Sequence, residues 1–330
     1  MARVIVVGSG VVGTASGKGM AQLGHDVTFV DVNAVRLEAL ASEGLDATDR
    51  IDLRGAAAVV LMTLPTPYVD GQGYDLSAFM AGTRAVGEAL RHARELHTVV
   101  VRSTLPPGTT EGMIQPLLEQ TSGKRVDEGF ALASNPEFLR AASALEDFLS
   151  PWMTVIGSRN PATIERLENL YRPLGGEMRT FLNPATAEMI KCSHNIYNAT
   201  KISFWNEMWL VAEHLGIPSD DVAKTVALSS EGSFNIHYGI RGGAPYAGAC
   251  LPKDVRGFLG FAEGLGLTMP LLGAVVSVNA LMEQVESQEV PPAEALLLQA
   301  GEIRAPVIDL TSVEEGNWVA EEAASEQISA

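Results

Sequence analysis

Three groups of residues in this sequence have the types and spacing to do chemistry. Gly8-Ser9-Gly10-Val11-Val12-Gly13 follows the apolar run Val4 to Val7 and opens a segment that reads as a helix through Met20, Ala21 and Leu23 to Gly24. In such a set the first glycine makes a tight turn and the second admits a pyrophosphate to the backbone. The third lets helix and strand pack closely, while free N–H groups at the helix start meet the phosphates. His25 to Asp31 then reads as a second strand ending in an acid. A carboxylate there holds the adenosine ribose 2′-hydroxyl and repels a 2′-phosphate, so this βαβ unit favours NAD over NADP. Arg36 is a counterweight to that preference, although a solvated helix charge accounts for it better.

Lys191 and Asn195 stand at i and i+4, so they share one helical face. Taken alone they fit surface residues better than a catalytic pair. The third group is Cys250 followed by Leu251-Pro252-Lys253-Asp254. The proline fits the first position of a helix running through Phe258 and Phe261, which would place the sulfur at a helix N-terminus. A helix dipole and a nearby lysine lower a thiol from its ordinary pKa of about 8.5 toward thiolate. Asp254 opposes this unless it is held apart or used as an acid or base. A free cysteine is also explained as a small buried hydrophobe, and that reading stands for Cys192.

The elements that must position these groups follow from periodicity. Ala58 to Met62, Thr98 to Arg102, Phe130 to Ala133 and Thr154 to Ile156 read as further strands. Helix-like segments near Ala78 to Arg91, Glu111 to Glu119 and Ala162 to Tyr171 separate them. The expected fold class is α/β: an N-terminal Rossmann domain with a doubly wound parallel sheet, followed by a mainly helical domain. Ligands of such sheets lie at the carboxyl ends of the strands. Two strand-end turns are placed there, Thr63-Leu64-Pro65-Thr66-Pro67 and Ser103-Thr104-Leu105-Pro106-Pro107-Gly108. Each is read either as a rigid connector or as a cofactor contact through Leu64, Pro65, Thr66, Ser103 and Thr104. From Ala185 to Leu215 no Gly or Pro interrupts a long helix, which Gly216 and Pro218 close. The segment Ser229 to Gly248, with Tyr238, Arg241 and Tyr246, reads as a loop folded over a ligand. Expected divisions are 1–183 for NAD binding, 184–289 for a helical central domain, and 290–330 for a short acidic tail.

Bulk composition narrows the function classes. The 330 residues are 46% hydrophobic and 19% charged, with a formal charge of −17. That charge argues against nucleic acid and anionic lipid as partners. No apolar run approaches the roughly 20 residues that span a bilayer. Two cysteines form neither a disulfide framework nor a metal-ligand spacing, which suits the cytoplasm.

Seven motifs in order then resemble the UDP-glucose/GDP-mannose dehydrogenase family. They are Gly8 to Gly13, Leu64-Pro65-Thr66-Pro67, Ser103 to Thr109, Asn135-Pro136-Glu137-Phe138-Leu139-Arg140, Thr186 to Lys191, Ala199 to Phe204 and Gly248 to Asp254. The resemblance implies oxidation of a sugar primary alcohol to a carboxylate with two NAD and a covalent thioester on Cys250. It casts Lys191 and Asn195 as stabilisers of the oxyanion, since a cation and an amide on one face can meet charge on one oxygen. Asp254 and Thr104 would place water or pass protons, and Glu137 would assist thioester hydrolysis. Phe138, Leu139, Lys191, Tyr246 and Lys253 would contact the substrate. The long helix would form a homodimer.

This chain also departs from that pattern. Family members continue into a further Rossmann-like domain that grips the nucleotide, and Val290 to Ala330 does not resemble it. Ala141 stands where a second glutamate is expected, Trp152 and Met153 where a basic residue is expected, and the loop Gly243 to Gly248 is altered. These departures point to a different small sugar-like substrate, such as a sugar phosphate, a nucleoside-like alcohol or a biosynthetic intermediate. A two-electron dehydrogenase that does not use the cysteine, or an inactive NAD-binding scaffold, is the alternative.

Overall fold

The structure, a computed structural model, describes residues 1–69, 73–235, 238–239, 244–248 and 251–287. β1 (Arg3–Val7), α1 (Val11–Gln22) and β2 (Asp26–Val30) form the expected opening unit, followed by α2 (Ala34–Ser42), β3 (Asp46–Thr48) and β4 (Ala58–Met62). A small antiparallel hairpin, β5 (Tyr68–Val69) and β6 (Gly73–Tyr74), precedes α3 (Ser77–Arg91) and β7 (His97–Val101). A wide helical turn, Thr110–Ile114, leads into α4 (Gln115–Ser122). β8 (Phe130–Ser134), α5 (Ala144–Leu149), β9 (Met153–Gly157), α6 (Pro161–Tyr171) and β10 (Glu177–Phe181) complete this part.

The main sheet runs β10-β9-β8-β7-β4-β1-β2-β3. The chain leaves β1 toward β2 on one side and returns to β4 on the other, so the crevice at the carboxyl end of β1 is a topological switch point. Successive strand residues are buried on opposite faces: Ile5, Val7, Val60, Met62, Val99 and Val101 on one, Val4, Val6, Val59, Leu61 and Val100 on the other. Covering both faces explains why these strands read as unbroken apolar runs.

The expected α/β class, a mainly parallel sheet followed by helices, is what the structure shows, with one refinement at an edge. The sheet is not parallel throughout, because β9 meets β8 antiparallel through Ser134 and Gly157, and β10 is parallel to β9. The link between β8 and β9 carries α5, which packs on α1 instead of carrying the chain back across the sheet. β9 therefore starts from the edge at which β8 ended. A helix between two strands reads alike in sequence whether or not it crosses over.

α7 (Pro184–Leu215) extends for about 48 Å at 1.5 Å per residue. Asn183 caps its start, accepting from the Ala185 N–H, and Gly216 ends it with a left-handed φ of 67°. Its first turns pack on β8, β9 and the Thr110–Ile114 turn. Later turns meet α8 (Ser219–Ser229) and α11 (Pro270–Glu286), with α10 (Leu251–Gly264) packed against α11. A short helix, α9 (Glu231–Phe234), follows α8. A small core of Val211, Ala262, Met269 and Leu272 joins these helices. The Glu207 carboxylate accepts the Leu271 and Leu272 N–H groups at the start of α11.

Candidate active site

A cleft of about 970 Å³ opens at the carboxyl ends of the central strands. Gly8, Gly10, Val11, Val12, Asp31, Arg36, Leu64, Pro65, Thr66, Ser103 and Thr104 all line it, together with Glu137. Gly13 lies beneath the loop: a Cβ there would fall 1.9 Å from the Gly8 carbonyl oxygen. A Cβ on Gly10 would meet nothing within 4 Å, so this glycine keeps open space in the cleft free of side chain. These two contrasting glycines fit a loop that must pack tightly below and admit a phosphate above. Thr63, the first residue of the Thr63 to Pro67 turn, closes the glycine loop by donating its hydroxyl to the Gly8 carbonyl at 2.6 Å.

Asp31 is buried at the end of the crevice. Its Oδ2 accepts both the N–H and the hydroxyl of Ser9 at 2.6 Å, and Oδ1 accepts the Asn33 N–H at 2.9 Å. Burial alone would push this carboxyl up, but the Ser9 and Asn33 donors and the Arg36 guanidinium together hold it below the usual carboxylate range. Arg36 is half exposed and stands 3.6 Å from Asp31, so it is paired with the acid as well as lining the cleft.

The two proline-bearing turns are both connectors and cleft walls. The Ser103 hydroxyl donates to the Leu64 carbonyl at 2.6 Å and the Thr66 hydroxyl to the Thr104 carbonyl at 2.9 Å, which locks one turn to the other. Glu188 of α7 then holds the second turn. Its carboxylate accepts the Gly108 N–H at 2.5 Å, the Thr110 N–H at 2.8 Å and the Thr110 hydroxyl at 2.5 Å. Burial pushes the Glu188 carboxyl up against those hydrogen bonds. Its position inside the Thr186 to Lys191 motif was the only signal that could have found it.

One turn further along α7, Lys191 Nζ lies 3.1 Å from Glu137 Oε1, with the two side chains 6% and 13% exposed. The other Glu137 oxygen accepts the Leu139 N–H at 2.5 Å, and the ammonium stands 5.3 Å over the Phe138 ring. Glu137 also borders a small cavity of about 30 Å³ lined by Phe138, Leu139 and Trp152, so it stands at the junction of that cavity and the large cleft. The loop bearing Glu137 is set from below by Arg102, which sequence reading passed over. This buried guanidinium donates to Asn135 Oδ1 at 2.5 Å and to the Tyr171 hydroxyl at 3.1 Å. Asn135 in turn donates to the Val155 carbonyl at 2.7 Å.

The remaining predicted residues are less closely joined. Asn195 lies exposed on α7 one turn past Lys191. Tyr246 donates its N–H to the buried Asn279 of α11, and Asp254 is exposed in the first turn of α10. Cys250 and the side chain of Lys253 lie outside the described residues, as does Arg241. Pro252 does stand in the first turn of α10, as its sequence position implied. Cys192 is half-buried beside the Leu105 carbonyl; burial and the Glu188 carboxylate raise its thiol pKa. That suits the packing reading given to it. No helix among the described residues is long and apolar enough to cross a membrane.

A glycine loop over a switch-point crevice, an acid at the end of β2 and a buried lysine–glutamate pair at the cleft's edge fit the class of dinucleotide-binding oxidoreductases. The family models narrow this class. Residues 38–175 match the NAD binding domain of the UDP-glucose/GDP-mannose dehydrogenase family and 185–281 its central domain. Residues 1–69 also match the C-terminal domain of the alanine dehydrogenase/PNT family. UDP-glucose 6-dehydrogenase AglM of Haloferax volcanii is 34% identical over 298 residues, covering 83% of this chain and 68% of that protein. GDP-mannose 6-dehydrogenase of Pseudomonas aeruginosa is 33% identical over 300 residues, covering 84% and 68%. A crystal structure of GDP-mannose dehydrogenase from Pseudomonas aeruginosa superimposes with a TM-score of 0.79 at 32% identity, over 86% of this chain and 69% of that one. An imine reductase from Streptomyces aurantiacus, 14% identical with a TM-score of 0.65, covers 90% of this chain and 99% of its own and shares the fold. The chain belongs to the UDP-glucose/GDP-mannose dehydrogenase family, and is an NAD-dependent dehydrogenase acting on CH–OH groups.

Proposed function

We propose that the protein oxidises a primary alcohol of a sugar-like or nucleoside-like substrate to the carboxylate, with Cys250 as covalent nucleophile. The observation that carries this reading is the buried Lys191–Glu137 pair at the edge of the cofactor cleft. Gly8, Gly10, Val11 and Val12 would hold the pyrophosphate of NAD, Asp31 its adenosine ribose, and the turns at Leu64–Thr66 and Ser103–Thr104 its nicotinamide end. NAD bound there accepts the hydride of each two-electron oxidation. The chain's own residues supply the rest. A thiolate at Cys250 adds to the aldehyde carbon, giving a thiohemiacetal whose oxidation leaves a thioester. The Lys191 ammonium, with Asn195 one turn along, meets the negative oxygen at each stage. Glu137 takes a proton from the water that attacks the thioester, releasing acid and thiol, and Thr104 and Asp254 orient that water. Phe138, Leu139, Tyr246 and Lys253 border the substrate.

The balance is one alcohol, one water and two NAD⁺ giving one carboxylate, two NADH and three protons. Relatives named for oxidising UDP-glucose and GDP-mannose at C6 put sugar nucleotides first among substrates to try. The division falls at residue 183, between cofactor-binding and central domains. Met189, Ile196, Tyr197, Ile202 and Trp209 are exposed along α7 and support a homodimer formed on that helix. The test is to incubate the protein with NAD and a panel of sugar nucleotides, sugar phosphates and nucleosides, counting NADH per product. Two NADH per acid, with aldehyde trapped from Cys250→Ala, is the expected result. One NADH per turnover and an active Cys250→Ala protein would establish the two-electron alternative.

A further inference from the structure

Three rings stand together beside the Lys191–Glu137 pair. Trp152 stacks on His194 with centroids 5.7 Å apart and planes inclined by 29°. The Phe138 ring meets Trp152 edge-on at 5.5 Å and His194 at 5.1 Å. Phe138 is also the ring under the Lys191 ammonium, and His194 is three residues past Lys191 on α7. Rings and cation are therefore mounted on one helix, α7, and on the two loops that flank α5. Trp152 is nevertheless 58% exposed. An indole recruited only to fill a core would be covered; this one is held in place by two partners and still presents more than half of its surface.

Its position gives that surface a use. Trp152 and Phe138 line the small cavity that shares Glu137 with the cofactor cleft. The face of an indole is electron-rich, so it attracts C–H bonds carrying partial positive charge, whereas a sugar ring presents such C–H bonds on one face and hydroxyls around its edge. Burial, followed by the Lys191 charge, holds the His194 pKa below its ordinary value, so the stack is one of neutral rings near neutral pH. The groups facing His194 are Lys191, Glu137 and the amide of Asn198, which lies 3.1 Å from Nε2.

We propose that Trp152, held by His194 and Phe138, is the specificity wall of the alcohol site, taking the uncharged C–H face of a sugar ring whose hydroxymethyl group reaches Lys191. This rests on the reading that the substrate carries an oxidisable primary alcohol. A wall without a charge of its own selects for ring shape and ring face. His194 acts as a positioning residue, because it touches the indole and keeps its plane fixed.

Wild type, Trp152→Leu, Trp152→Phe and His194→Ala are titrated with UDP-glucose and with GDP-mannose, by tryptophan fluorescence without NAD and by NADH formation with it. Binding should change the fluorescence of wild type and lose that change in Trp152→Phe, where the other tryptophans remain. Trp152→Leu should raise KM for the sugar nucleotide about three- to tenfold, the range expected for one aromatic contact. KM for NAD should stay constant, and the effect should fall on KM more than on kcat. Trp152→Phe should recover most of the loss in KM, and His194→Ala should fall between. No fluorescence change in wild type, an undiminished change in Trp152→Phe, or an unaltered sugar KM in Trp152→Leu overturns the proposal. If neither compound yields NADH but a Trp152-dependent change persists, the wall stands and the oxidation reading falls. If NADH forms with an unaltered KM in Trp152→Leu, the reverse holds.

Discussion

Removing either member of the Lys191–Glu137 pair should destabilise the protein nearly as much as removing both. The ammonium and carboxylate are 3.1 Å apart and almost buried. At that separation, and at an effective dielectric constant near 20, their attraction is about 5 kcal/mol, against which desolvation costs several kcal/mol. Lys191→Met strands a carboxylate that keeps, among the described residues, the hydrogen bond from the Leu139 N–H. Glu137→Gln strands an ammonium over the Phe138 ring. Each single change should cost about 3–5 kcal/mol. The double variant has no charge left to strand, so the cycle should show a coupling of about 2–4 kcal/mol. Urea unfolding of the four proteins at pH 7.5 measures this. A buried pair is poorly screened, so the coupling should be the same in 0.1 M and 0.5 M salt, at Debye lengths of about 10 Å and less. A coupling under about 0.5 kcal/mol, or one that halves with added salt, would refute the reasoning and mark the pair as an ordinary surface contact.

Other consequences are equally direct. Glu188→Ala orphans the Gly108 N–H and both donors of Thr110, and should cost about 2–5 kcal/mol, read as a lower Tm; Glu188→Gln keeps an acceptor for Thr110 and should cost less. Gly13→Ala forces a Cβ against the Gly8 carbonyl and should lower both Tm and NAD affinity. Gly10→Ala meets no protein atom and should weaken NAD binding, measured by calorimetry, while leaving Tm in place. His97 is fully buried and accepts the Ala58 N–H at 3.1 Å, and burial, followed by the Arg3 charge, depresses its pKa below 6.5. The unfolded chain therefore takes up a proton below pH 6.5 that the folded one refuses. Stability should be complete above that pH and fall as pH drops, by up to about 1.4 kcal/mol per unit. His97→Gln should flatten this part of the stability profile, and an unchanged slope would count against it.

Local signals explain which parts were legible in the sequence. The strand, glycine loop, helix and acid from Val4 to Asp31 were readable because backbone turns and covered strands impose residue types over a few positions. α7 was legible for the same reason, as an uninterrupted run that Gly216 closes, whereas the Asn183 cap at its start came only with the structure. β3 and β10 passed unnoticed: these edge strands are largely uncovered, and Asp46–Thr48 and Glu177–Phe181 lack a buried apolar run.

By itself, then, the sequence determined the NAD loop, the acid at the end of β2, the long helix and the ordered motifs that mark the family. Tertiary structure decided that the proline turns wall the cleft and that Glu188 bolts one of them to α7. It also set Lys191 against Glu137, ran β9 antiparallel to β8 and left Trp152 standing open on His194. The physical reason is distance along the chain. A carboxylate finds its buried donors, and a ring its stacking partner, only when remote segments have packed, and no local spacing records those encounters.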